Sequence, residues 1–84
     1  MRLSQLPNGS HALVHSVSAT SPEVGESTIR RLGELGFIPG EPVMMLRRGP
    51  GGREPLAVQI GETLFALRLV EADCIEVHAQ ASAI

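Results

Sequence analysis

Turn-forming residues interrupt this chain so often that no element between them can be long. Pro7-Asn8-Gly9, Gly36, Pro39-Gly40, the run Gly49-Pro50-Gly51-Gly52 and Gly61-Glu62 fall between brief apolar stretches. Proline presets a turn dihedral and glycine permits the rest. What lies between them reads mainly as strands. Residues 10–18 are rich in small and β-branched side chains, with His11, Leu13, His15 and Val17 on one face and Ala12 and Val14 on the other. Further strands are predicted at 42–46, ending at Arg47-Arg48, at 55–60 and at 63–67, with Gly61-Glu62 as a two-residue hairpin connection. A single helical turn at 70–73 precedes a last strand on which Ile75 and Val77 point inward.

One longer helix fits between the first two strands. Ser21 can cap it, with Pro22 at the first helical position and Glu23 in the positive first turn. Val24, Ile29, Leu32 and Leu35 make an apolar stripe of only approximately helical period. Gly25 and Gly33 weaken the helix by about 1 kcal/mol each relative to alanine, so packing must hold it. Gly36 suits a left-handed C-cap, with Phe37 placed for the hydrophobic contact that follows, and Ile38-Pro39-Gly40-Glu41 reads as a type II turn. Leu35 and Leu64 are expected to fill the core. The fold class is therefore mainly β: a small SH3-like five-stranded barrel with a short helical insertion after the first strand. An OB-type barrel is the alternative, though it usually runs longer.

At 84 residues the chain is expected to be one domain, residues 1–84, with a thin stability margin. Its single cysteine, Cys74, excludes an internal disulfide framework and an all-cysteine zinc cage. Neither a signal-peptide plan nor an apolar run long enough to cross a bilayer is visible, so a soluble cytoplasmic protein is expected. Seven basic and nine acidic residues leave a formal net charge of −2, all the basic residues being arginine. Nucleic-acid binders draw most of their affinity from a basic footprint, which is missing here. The only aromatic rings of the Phe, Tyr and Trp kind are Phe37 and Phe65. That is too little for a proline-rich peptide groove or a base-stacking platform.

Catalysis is not expected. Cys74 and His78 lie four apart on a predicted strand, about 13 Å, too far to act as nucleophile and base. No phosphate-binding loop with lysine exists, since there is no lysine. Metal binding has candidates in His11, His15, Glu76 and His78, because the first and last strands of such a barrel commonly pair and would bring them within cross-strand reach. Three solvated surface histidines are the plainer account. No cofactor is required, and a weakly held divalent transition metal, iron or zinc, is the one candidate. For partner binding the candidates are Arg47 and Arg48 beside Gly51 and Gly52, where arginine suits bidentate recognition and glycine allows close backbone approach. Phe37-Ile38, with Leu3-Leu6 and Val43-Met44-Met45, offers a candidate apolar surface. Arg30-Arg31 are expected to face solvent or to pair locally with Glu34 or Glu26.

The run Arg31-Leu32-Gly33-Glu34-Leu35-Gly36-Phe37-Ile38-Pro39-Gly40 resembles the signature of the ferrous-iron transport protein A (FeoA) family. The match continues through Arg47-Arg48-Gly49-Pro50, Pro55-Leu56-Ala57-Val58, Gly61, Leu64-Phe65-Ala66-Leu67-Arg68 and Glu71-Ala72. Gly33 stands where that family usually has a larger helix former, and the loop at 51–54 is one residue longer and richer in glycine. Most matching residues also have a plain structural job, so the resemblance speaks first for the fold. It implies an SH3-like barrel acting as a cytoplasmic accessory factor of the membrane ferrous-iron transporter, docking on the cytosolic side of its B component. The same barrel closes metal-dependent repressors of the diphtheria-toxin-repressor type. The alternative function is accordingly a divalent-metal-binding, dimerising regulatory domain.

Overall fold

The computed structural model describes residues 1–20 and 22–79. A 3₁₀ turn, Leu3–Gln5, leads into strand β1, His11–Val17, and helix α1, Glu26–Glu34, follows it. Then come β2 (Pro42–Arg48), a 3₁₀ turn at Pro50–Gly52, β3 (Leu56–Ile60), β4 (Thr63–Leu67), the short helix α2 (Leu69–Ala72) and β5 (Ile75–Ala79). All five strands join one antiparallel sheet in the order β4-β3-β2-β1-β5. This is the SH3-like arrangement, with the helix inserted after the first strand.

Period-two alternation decides which residues enter the core. Ala12 and Val14, Val43 and Met45, Leu56, Val58 and Ile60, and Ile75 and Val77 are buried, each separated from the next by an exposed or half-buried residue. Leu3 and Leu6 close one side of this core, and Leu32, Phe37 and Ala72 cover the rest. Leu64 does not belong to it. On edge strand β4 only Leu67 is buried, and Leu64 faces out at 64% exposure because the hairpin register sets it opposite Gln59 rather than beside the inward Val58 and Ile60. Leu35 packs against the core from a half-buried position.

The helix begins later than Pro22. The Gly25 carbonyl takes the first bonds, from the amides of Thr28 and Ile29, and Glu26 rather than Glu23 supplies the first-turn charge. The reason lies in the stripe itself. Val24 is five residues from Ile29, off the helical period, and it reaches the core from a turn ahead of the helix. The Ser21 cap lies outside the described residues. At the other end Gly36 stands at φ 114°, its amide bonding the Gly33 carbonyl while that of Phe37 bonds Leu32. These are the two bonds of a Schellman stop, and Phe37 and Leu32 are both buried, which supplies the apolar contact. Gly40 follows at φ 92°, with the Glu41 amide donating to Ile38 across the expected turn.

Two register shifts alter the alternation. Between Met45 and Arg47 strand β2 carries one extra residue against β3, so that Arg48, not Arg47, stands opposite the buried Leu56. Strand β2 thus runs through both arginines rather than ending before them. Between Val14 and Ser16 strand β1 shifts against β5 in the same way, leaving His15 as the unpaired residue. A bulge of this kind re-aims side chains without breaking the sheet.

Candidate functional site

A cleft of about 500 Å³ lies between α1, the end of β4 and α2. Its polar lining comes from Thr28, Arg31, Glu54, Arg68 and Glu71. The two carboxylates already hold backbone. Glu54 accepts the Leu69 amide at 2.6 Å, and Glu71 accepts the Arg68 amide at 2.8 Å, so both cap the orphan N–H groups that open α2. Glu71 also receives Arg31 at 3.5 Å. Arg31 therefore pairs across the fold rather than with Glu26 or Glu34. The Arg68 guanidinium makes no hydrogen bond or ion pair among the described residues. The cleft thus offers one free planar cation and one loosely held one, with the acids oriented toward the chain's own amides. That suits a carboxylate-bearing ligand or segment.

The four metal candidates separate into three settings. His15 and His78 meet on the outer face of the β1–β5 ladder, ring centroids 4.6 Å apart and planes at 75°. Glu76 takes the terminal amine of Met1 at 3.1 Å. His11 pairs with Met44 at the opposite side of β1, beside a small groove that also contains Pro42 and Gln59. Among the described residues no group of three or more His, Cys, Asp or Glu side chains converges. A closed structural metal site, which takes four protein ligands, is not built from them. Cys74 is buried, and its thiol donates to the Val70 carbonyl at 3.2 Å, the packing role of a small apolar filler.

The partner-binding candidates divide in the same manner. Arg48 is turned inward and its guanidinium donates to the carbonyls of Ser4 and Leu6, the latter at 2.9 Å, so it clamps the N-terminal turn instead of offering itself to a partner. Phe37 is buried and packs its ring against Phe65 at 5.9 Å, so it drops out of the apolar surface, as do Leu3, Leu6, Val43 and Met45. Ile38 stays 46% exposed, and Arg47, Gly51 and Gly52 lie open to solvent. The loop carrying the two glycines ends at Glu54 and Pro55, on the rim of the cleft. Reading the sequence did not single out the cleft. Yet Arg31, Pro55, Ala66, Leu67, Arg68 and Glu71, six of its eight lining residues, lie within the runs that carry the family resemblance.

The comparisons agree with those runs. Residues 1–79 match the model of the FeoA domain. Among solved structures the chain is similar to FeoA of Stenotrophomonas maltophilia complexed with zinc, at 47% identity over 93% of this chain and 89% of that one, with a TM-score of 0.82. It is similar to the FeoA protein of Chlorobium tepidum at 38% identity, over 100% of this chain and 74% of that one, with a TM-score of 0.78. A manganese-dependent transcriptional repressor shares the fold at 19% identity, over 95% of this chain and 41% of its own length, with a TM-score of 0.75. No curated protein matches the chain. With the family model spanning nearly its whole length and the barrel, helix stop and hairpins in place, the chain belongs to the FeoA family.

Proposed function

We propose that this chain is a cytoplasmic accessory protein of ferrous-iron transport that docks on the cytosolic side of the membrane transporter's B component. The observation that carries this reading is the FeoA match over residues 1–79, and the polar cleft is a recessed surface that a partner can enter. The related S. maltophilia protein is a suggested ferrous iron transport activating factor. No helix among the described residues is long and apolar enough to cross a membrane, so the proposed contact with the transporter is one of docking. In this reading Arg31 and Arg68 receive an acidic segment of the transporter, and the loop carrying Gly51 and Gly52 borders it where it ends at Glu54 and Pro55. The exposed Arg47 and Ile38 are further candidate contacts outside the cleft.

The alternative, a metal-dependent dimerising regulator, leans on the repressor likeness, which at 19% identity speaks for the fold alone. Capture from detergent-solubilised membranes containing the ferrous-iron transporter tests the docking reading. The wild-type chain is expected to retain the transporter, and the Arg31→Glu, Arg68→Glu double variant to lose most of that retention. Failure of the wild type to capture it, crosslinked or not, overturns the proposal.

A further inference from the structure

The geometry points to His15 and His78 as a two-histidine clip for a divalent first-row transition cation of the zinc class. This inference is independent of transporter docking, and the clip shares no residue with the cleft. Its origin is the register shift in β1. In the ladder Leu13 opposes His78 and Val14 opposes Val77, yet Ser16, not His15, opposes Glu76. His15 is left without a cross-strand partner of its own, and its ring sits against His78 on the neighbouring strand. Without the bulge His15 would stand opposite Glu76.

The spacing fits a shared ion. Zinc–imidazole bonds of about 2.1 Å put each ring centroid about 3.2 Å from the metal. Two such rings subtending between a right angle and a tetrahedral angle then lie about 4.5–5.2 Å apart. The observed 4.6 Å falls inside that span. At 75° the rings are not stacked face to face, so their nitrogen-bearing edges can turn toward one point. Both side chains are exposed on paired strands, which hold the ligands in register while leaving the remaining coordination positions to water. Among the described residues neither of the other two candidates converges with the pair: Glu76 is engaged by the Met1 amine and His11 lies toward β2.

Calorimetric titration of the full chain with zinc chloride tests the clip against His15→Gln, His78→Gln and His11→Gln. Wild type and His11→Gln are expected to bind one saturable equivalent. Each clip variant should bind about tenfold more weakly or not at all. In the wild type, the imidazole ¹⁵N resonances of His15 and His78 should shift together on adding zinc while those of His11 stay put. Because His15 sits in a bulge, the amide spectrum of its variant is compared with wild type. If that spectrum changes, the wild-type imidazole shifts decide the question. The inference is overturned if the wild type shows no saturable binding, if His11→Gln weakens it as much as the clip variants do, or if the two resonances fail to move.

Discussion

Arg48 shows how a single displaced residue changes the job of a side chain. The β2 bulge turns it to the core side, where its guanidinium satisfies the carbonyls of Ser4 and Leu6 and so fastens the turn that delivers Leu3 and Leu6 to the core. Its neighbour Arg47 is exposed and makes no such bond. Removing a charged donor from partly buried carbonyls costs about 1.5–3 kcal/mol, while an exposed arginine contributes within about 0.5 kcal/mol. Arg48→Ala is therefore expected to lower the urea midpoint clearly and Arg47→Ala hardly at all. Equal effects would contradict the assignment. The sequence presented the two as an equivalent pair because strict alternation, carried on from Val43 and Met45, places Arg47 inward and Arg48 outward. Only the inserted residue reverses that order.

Helix α1 is short and sits between opposing local preferences. Gly33 lies inside it with nothing within 4 Å of where a Cβ would be, whereas Gly36 holds the stop at φ 114° with Ile60 already 3.7 Å from the added carbon. Gly33→Ala gains helix propensity and restricts the unfolded chain, so it should stabilise by about 0.5–1 kcal/mol. Gly36→Ala must place a side chain in a left-handed backbone and should destabilise by about 1–2 kcal/mol. Denaturant midpoints of opposite sign are the expected outcome. The stop was legible in the sequence because Gly36-Phe37 and Ile38-Pro39-Gly40 fix local dihedrals that need no distant partner. The start was not, since Gly25 and Val24 serve it through backbone bonds and core contact rather than through a capping side chain.

At the scale of the whole molecule, the sheet and the helix are unequally anchored. Strands β1, β2 and β3 pair on both edges and alternate into a common core. Helix α1 fully buries only Leu32, with Ile29 half-buried beside it. Local opening free energies follow buried apolar contact, so amides of Glu26–Glu34 should exchange faster than those in the centres of β1–β3. Slow exchange throughout the helix would show that it unfolds only with the sheet. A helix that opens separately would also loosen Arg31, and with it one wall of the cleft.

By itself the sequence determined the things that are local. Turns at Pro39-Gly40 and Gly61-Glu62, the helix stop at Gly36 and the alternation of apolar residues each follow from dihedral limits or period, and together with the family resemblance they specified the barrel. The tertiary structure decided what depends on register and on which distant elements meet. It moved Leu64 to the surface, turned Arg48 inward, buried Phe37, joined Arg31 to Glu71 and set His15 against His78. For Arg48 and His15 the physical reason is a bulge, whereas Leu64, Phe37 and Arg31 lie outside any register shift and are placed by the elements packed or paired against them. Hydrophobic pattern tells a residue which face it occupies only while pairing stays regular, and one extra residue in a strand shifts what it opposes. The recessed site depends on tertiary packing as well: Arg68 and Glu71 come to Arg31 only when the end of β4 is folded back toward α1.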